Sequence, residues 1–315
     1  MKRLFAIGLL FASTLAFAQY PSKPIRFIVG FPPGGSADPT TRIIGQALSE
    51  QLGQPVVVEN RPGGDSAIAA EAVSKMTADG YTIMFASNSG MTAAVALRKQ
   101  PLYDPLKDFT PISLVGRATQ FFYVHPAVPA RTMQEFVAYA KANPGRLNYG
   151  TGNPLSILYN VQLMKATGID MVHVPYKGEG PLNPDIIAGR VQSAFLSTAT
   201  AISLAKEGKL RPLAVLLERR SPLLPEVPTI DEAGVPQITV RQWAGVFGPP
   251  QMPREIVERL NKEVNAALKR PDVLEKLQSY GYAAEGSTPE RLLEINRADL
   301  ELWRRLVKEA GIPLE

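Results

Sequence analysis

The side chains that most often do chemistry are scarce in this chain. It has no cysteine and only two histidines, His125 and His173. His125 precedes a proline and His173 lies in an apolar run, settings that suit a structural histidine better than a base. With no HExxH, no histidine pair at ligand spacing and no carboxylate cluster, neither a metal nor a cofactor is expected. A serine triad lacks its GxSxG elbow, and Ser36, the one serine placed like a nucleophile, has no base near it in sequence. What the chain offers is backbone donors. In FPPGGSAD, Phe31 to Asp38, Gly34 and Gly35 can reach φ > 0 and have no Cβ to block a ligand. The amides of Gly35, Ser36 and Ala37 can then converge on one point, and at a helix N-terminus that point favours an anion. The same stretch can equally be only a turn; it is neither a Walker A loop nor GxGxxG.

The elements around the turn are readable. IRFIV, Ile25 to Val29, is short, β-branched and bounded by turn residues, as a buried strand is. After the turn, Ile43, Ile44, Ala47, Leu48 and Leu52 fall on one helical face. Asp38 is the expected N-cap, with Pro39 at the first helical position. VVVEN (Val56 to Asn60) reads as a second strand, RPGGD (Arg61 to Asp65) as another glycine turn, and YTIMFA (Tyr81 to Ala86) as a third strand that ends in the polar loop Ser87, Asn88, Ser89. Strands alternating with helices imply a parallel α/β sheet, whose ligands bind at the carboxyl ends of the strands.

A second series of the same kind follows. A strand around Gln120 to Val124 leaves the first lobe, and LNYGTGN (Leu147 to Asn153) again runs from strand into glycine turn and helix. MVHVPYKGEG, VQSAFLST and LRPLAVLL supply further strands, and residues 219–236, with four prolines and no apolar period, read as a surface excursion. TVRQWAGVFGPP carries the chain back, and three helices close it. The expected division is 19–123 with 240–315 as the first lobe and 124–239 as the second. Two such blocks joined by two crossings outline a hinged pair of lobes.

Composition narrows the class. At 315 residues with 45% hydrophobic and 20% charged residues, the chain is ordinary for a globular protein of two modest cores. Lys2 and Arg3 precede an apolar stretch, Leu4 to Phe17, that ends in the A-x-A pattern Ala16-Phe17-Ala18. Residues 1–18 are therefore expected to be a cleaved secretory signal, which places the mature chain in the periplasm. Its loss lowers the formal charge from +5 to +3, too little to argue for nucleic acid or membrane binding.

Long, ordered motifs carry a resemblance. YPSKPIRFIVGFPPGGSAD, QLGQPVVVENRPGG, DGYTIMFAS, YDPLKDFTPISLV, NPGRLNYG, MVHVPYKG, GKLRPLAV and RSPLLPEVPTIDEAG, in this order, resemble the extracytoplasmic solute receptors of tripartite tricarboxylate transporters, the Bug family. The resemblance runs from Tyr20 to the C-terminal helix. It implies a two-lobed periplasmic-binding-protein fold of the Venus-flytrap type, each lobe a mainly parallel α/β sheet flanked by helices. It also implies a small organic acid in the cleft, no catalysis, a monomeric receptor, and delivery to the membrane permease subunits of the transporter. The expected ligand-binding residues are Phe31, Gly34, Gly35, Ser36, Ala37, Asp38, Ser87, Asn88, Thr151, Gly152, Asn153, Ser156, Tyr176 and Ser197. Phe31 matches a side chain that packs on the ligand in relatives.

The chain departs from the family pattern in its second-lobe loop. TGNPLSILYN follows NYG where relatives have a serine- and glycine-rich loop, so Pro154, Leu155, Ile157 and Leu158 make this wall more apolar. Leu196 stands where many relatives have an acidic residue, which disfavours an amino acid ligand. An aromatic or aliphatic mono- or dicarboxylate with a largely apolar far end is expected. Two alternatives remain: a sensor that docks on a membrane signalling partner, and an enzyme using Ser36, or Tyr176 with Lys177, as acid and base.

Overall fold

A computed structural model describes residues 20–33, 36–236, 238–309 and 314 of the chain. The expected signal segment, residues 1–18, and the turn glycines Gly34 and Gly35 lie outside the described residues.

β1 (Ile25–Val29) leads through α1 (Ala37–Leu52) to β2 (Val56–Asn60), then through α2 (Ala67–Ser74) to β3 (Thr82–Ser87). A wider π-turn, Ser89–Ala93, and α3 (Ala94–Ala96) follow, and β4 (Thr110–Ala118) is separated from β5 (Gln120–Val124) by one residue. The chain continues through α4 (Met133–Ala142), β6 (Asn148–Thr151), α5 (Pro154–Thr167), β7 (Val172–Pro175), α6 (Glu179–Ile187), β8 (Ser193–Ser197), α7 (Thr198–Lys206) and β9 (Arg211–Val215). It returns through β10 (Trp243–Gly248) to α8 (Arg254–Ala267), α9 (Pro271–Ser279), β11 (Tyr282–Ala284) and α10 (Pro289–Glu309).

These strands form two sheets, ordered β11-β4-β10-β3-β1-β2 and β7-β6-β8-β5-β9. β1 pairs in parallel with β2 and β3, and β6 with β7 and β8, as the strand-helix alternation requires. Each sheet also takes in a strand that runs against the rest. β10 inserts antiparallel between β3 and β4, and β5 inserts antiparallel between β8 and β9. β11 likewise runs antiparallel to β4 at the edge of the first sheet. The sheets are therefore mixed, and two of the three reversed strands, β5 and β10, adjoin the crossings.

Residues 120–123, expected in the first lobe, belong to the second sheet. Their alternation explains why: Phe122 and Val124 enter one apolar cluster of that sheet, and Phe121 and Tyr123 enter the cluster on its other face. All four are fully buried, each contributing on the order of 1.5–3 kcal/mol, which ties the strand to β8 and β9. The crossing is thus the single residue Thr119. Its amide donates to Gly281 at 2.6 Å in the first lobe, and its carbonyl accepts from the Thr198 amide at 3.3 Å in the second.

The C-terminal helix also departs from expectation, which placed it wholly on the first lobe. Leu292, Ile295 and Leu300 pack into the first-lobe cluster with Met84 and Phe247. Trp303, Leu306 and Val307, one to two turns later, pack with Tyr159 and Phe195 of the second. α10 spans both lobes because its apolar stripe continues over six turns without a break.

Candidate functional site

The loops that leave β1, β2 and β3 meet at one rim. A Cβ on Gly30, just after β1, would fall 1.9 Å from Ser66 Oγ, so glycine is required for the loop after β2 to approach this closely. That loop turns through Asp65 and Ser66, both left-handed at φ 55° and 78°. Gly90, after β3, packs on the same Ser66 side chain. The three loops brace one another through the small residues at their contacts.

The N-cap of α1 lies two residues earlier than expected. Ser36 is its N-cap, and Asp38 lies inside the first turn, where an acidic side chain opposes the helix dipole favourably. The Asp38 carboxylate accepts from Asn60 Nδ2 at 2.8 Å and pairs with Arg42 at 2.9 Å. Pro39 therefore sits at the third helical position, still among the donors that lack an intrahelical partner.

On the second lobe, α5 opens with a capping box. The Asn153 side chain accepts from the Ser156 amide at 2.9 Å, and the Asn153 amide donates to Ser156 Oγ at 3.3 Å. Two satisfied donors at one terminus fix the loop between β6 and the helix. Thr151 Oγ1 is held at 2.7 Å by His173 Nε2, and the imidazole stacks on Tyr149 at 5.0 Å between ring centres. Partial desolvation lowers the His173 pKa below its ordinary value.

Between the lobes lies a cavity of about 200 Å³. Phe31 and Asp65 from the first-lobe loops line it, together with Ser89 and Ala93 of the π-turn, Ala94 and Leu97. From the other side come Asn153, Leu155, Ser156 and Tyr159 of the loop and helix after β6. Gln120 and Gln242, one from each crossing, and Trp303 of α10 complete it. Gln120 Nε2 donates to Gln242 Oε1 at 3.2 Å, so an amide pair spans the hinge at the cavity wall.

Of the residues singled out from the sequence, Phe31, Asn153 and Ser156 line this cavity, together with Leu155. Ser36, Ala37 and Asp38 lie at the start of α1, outside the lining, with Ala37 and Asp38 buried. Ser87 and Asn88 are also buried, because β3 runs on through Ser87, and Asn88 Nδ2 donates to the Arg241 carbonyl at 3.3 Å. The polar residue of that loop that reaches the cavity is Ser89.

Other second-lobe residues are engaged elsewhere. Tyr176 donates to Asp185 at 2.6 Å, and Arg190 holds the other oxygen of that carboxylate. Ser197 meets Glu179, its Oγ donating at 2.7 Å, and Gly152 is packed against the Gly178–Glu179 backbone. Leu196 is fully buried in a core cluster with Leu182 and Ile186, so its side chain is no cleft wall. Leu158 is likewise a core residue behind the cavity. The lining residues absent from the expected set come from the loop after β2 (Asp65), the π-turn and α3 (Ser89, Ala93, Ala94, Leu97), α5 (Tyr159), the hinge (Gln120, Gln242) and α10 (Trp303); Asp65 and Ser89 had a signal in the turns after β2 and β3, the others none.

Comparison with known proteins settles the family. A model of the tripartite tricarboxylate transporter family receptor matches residues 40–312. The chain belongs to this receptor family. It is 32% identical to Protein BugT of Bordetella pertussis, over all of this chain and 99% of that one. A Rhodopseudomonas palustris protein solved with adipate shares 33% identity at a TM-score of 0.77, covering 93% of this chain and 99% of its own. MatC from the same organism, solved with bound malate, shares 29% at a TM-score of 0.72, covering 91% and 100%.

Receptors of this family are periplasmic solute-binding components of transporters and not enzymes, which sets aside the reading of Ser36 or Tyr176 with Lys177 as acid and base. The two-lobed periplasmic-binding-protein fold agrees with these neighbours. Among the described residues, no helix is long and apolar enough to cross a membrane, and no group of three His, Cys, Asp or Glu side chains could hold a metal ion.

Proposed function

We propose that the chain is exported and captures a small organic carboxylate between its lobes, delivering it to the membrane permease subunits of a tripartite tricarboxylate-type transporter. The observation that carries this reading is the make-up of the cavity: Phe31, just after β1, lines it on one side, and the N-terminal turn of α5, at Asn153 and Ser156, lines it on the other. A helix N-terminus presents the positive end of its dipole, so the start of α5 on this cavity favours an anion. The adipate and malate bound by its relatives are of the same chemical class.

A carboxylate gains roughly 1.5–3 kcal/mol from each charge-assisted hydrogen bond before ordering costs, so a few such bonds sustain micromolar affinity, about −8 kcal/mol. Native mass spectrometry of protein purified from the periplasm, followed by calorimetry with adipate, malate and monocarboxylates of similar length, tests the reading. A stoichiometric, unmodified acid is expected. Failure of every acid to bind, or conversion of the acid on incubation, overturns it.

A further inference from the structure

Away from the cleft, the second lobe holds another pocket, of about 400 Å³. Arg146 and Leu147, just before β6, line it with Gln192, just before β8, and with His125, which follows β5. The same strands carry cleft residues at their other ends: Gln120 starts β5, and β6 leads through Thr151 to Asn153. A four-residue strand such as β6 spans about 13 Å, so the two pockets lie at opposite edges of one sheet and share no residue.

The walls of this pocket are fixed by hydrogen bonds. The His125 amide donates to the Gln192 carbonyl at 3.0 Å. The Gln192 side chain accepts from the Asn148 amide at 2.7 Å and donates to the Gly189 carbonyl at 2.6 Å. A Cβ on Gly189 would fall 3.1 Å from the His125 ring, so the imidazole packs on bare backbone there. His125 Nδ1 accepts from the Ala127 amide at 3.2 Å, and a ring held in that way carries its proton on Nε2, which becomes a donor.

Three donors on these walls are accessible and have no partner among the described residues: the Arg146 guanidinium, His125 Nε2–H and the Tyr139 hydroxyl. Arg146 is exposed, and His125 and Tyr139 are partly so. No Asp or Glu lines the pocket, and Asp170, which approaches the neighbouring Gly145, makes no ion pair with Arg146. Asn143 caps the end of α4 by donating to the Tyr139 carbonyl at 2.9 Å, so that carbonyl is not left bare beside the pocket. A guanidinium with two neutral donors beside it calls for an oxyanion. Arg146 brings the one full charge on the lining, which matches a singly charged group, and Val128 and Leu147 give a carbon skeleton an apolar surface to rest on.

We propose that this pocket is a second anion site, which takes one small free carboxylate on Arg146, His125 and Tyr139. It stands independently of the carboxylate reading of the cleft.

The two histidines of the chain make the test direct, because they give two sets of imidazole signals in an NMR spectrum. His125→Asn, whose side-chain oxygen can still accept from the amide two residues on, identifies the His125 set by removing it. Titration of the unmodified protein with sodium acetate at neutral pH, with ionic strength held constant by sodium chloride, should move the His125 signals along a saturable curve. Arg146→Ala, a truncation at an exposed position, should weaken that response about tenfold or more. Inorganic phosphate should bind less tightly than acetate. Still His125 signals, movement confined to His173, which contacts Thr151 at the cleft end of β6, or an unchanged curve in Arg146→Ala would each overturn the site. Tighter binding of phosphate overturns the choice of a carboxylate.

Discussion

Gln120 donates its side-chain amide to Gln242 at 3.2 Å, and the two residues belong to the two separate segments that cross between the lobes. The backbone supports the same contact, because the Ala118 amide donates to the Gln242 carbonyl at 2.9 Å. The crossings are therefore held side by side, at the wall of the cavity between the lobes. A change in lobe angle must pass through this pair, so the hinge and the site share residues.

The first prediction follows from that pair. Gln120→Ala and Gln242→Ala should each weaken ligand binding severalfold, and their double mutant should cost less than the sum, with a coupling of about 1 kcal/mol. Calorimetry on the four proteins with one acid measures it. Additive losses would show that the amides act independently.

Asp299 of α10 yields a prediction in pH. It is buried, and burial pushes its carboxyl from the ordinary 3.8 up to about 6, against the hydrogen bonds from Thr92 Oγ1 at 2.6 Å and Trp243 Nε1 at 3.2 Å. Between these two pH values the folded state holds a proton that the unfolded chain has released. The stability this contributes is full below about pH 4 and is lost as the pH rises through about 6, a loss of about 3 kcal/mol in all. Asp299→Asn should flatten that part of the curve and be more stable than the unmodified protein above pH 7. Urea unfolding from pH 4 to 8 reads both effects, and an unchanged slope in the variant would assign the pH dependence elsewhere.

The degree to which the sequence revealed this site divides by element. Phe31, Asn153 and Ser156 were legible because each lies where a short apolar run gives way to a turn and a helix, and parallel strands place such junctions on one rim. Trp303 was not. Its helix shows an ordinary amphipathic stripe, and only the long-range packing of that stripe across two cores decides that one indole reaches the cavity. Leu196 and Ser87 show the converse error. The period of two along a strand determines which side chains face the core, and a boundary misplaced by one residue exchanges cavity for core.

Gly30 carries a prediction about the bracing of the loops. In Gly30→Ala the added methyl meets Ser66 Oγ at 1.9 Å and the Ser66 backbone Cα at 2.8 Å, so the loop carrying Asp65 must move. Overpacking of this kind costs about 1–3 kcal/mol. Both melting temperature and ligand affinity should fall, because Asp65 lines the cavity. Unaltered affinity in a folded variant would mean that this loop does not shape the site.

Asn153 separates stability from binding most sharply. Its side chain caps α5 by accepting from the Ser156 amide, and it also lines the cavity. Asn153→Ala removes the cap and should cost about 1 kcal/mol of stability. Asn153→Asp caps as well as asparagine does and should leave the unliganded protein as stable as before, or slightly more so, since a negative charge suits a helix N-terminus. The same charge faces the ligand. If the ligand is an anion, Asn153→Asp should lose tenfold or more in affinity at neutral pH, and the loss should shrink as added salt screens the part of the repulsion that reaches solvent. Thermal unfolding and calorimetry at two ionic strengths measure the two effects separately. An aspartate variant that is stable and binds the acid as tightly as the unmodified protein would place the carboxylate away from this helix terminus.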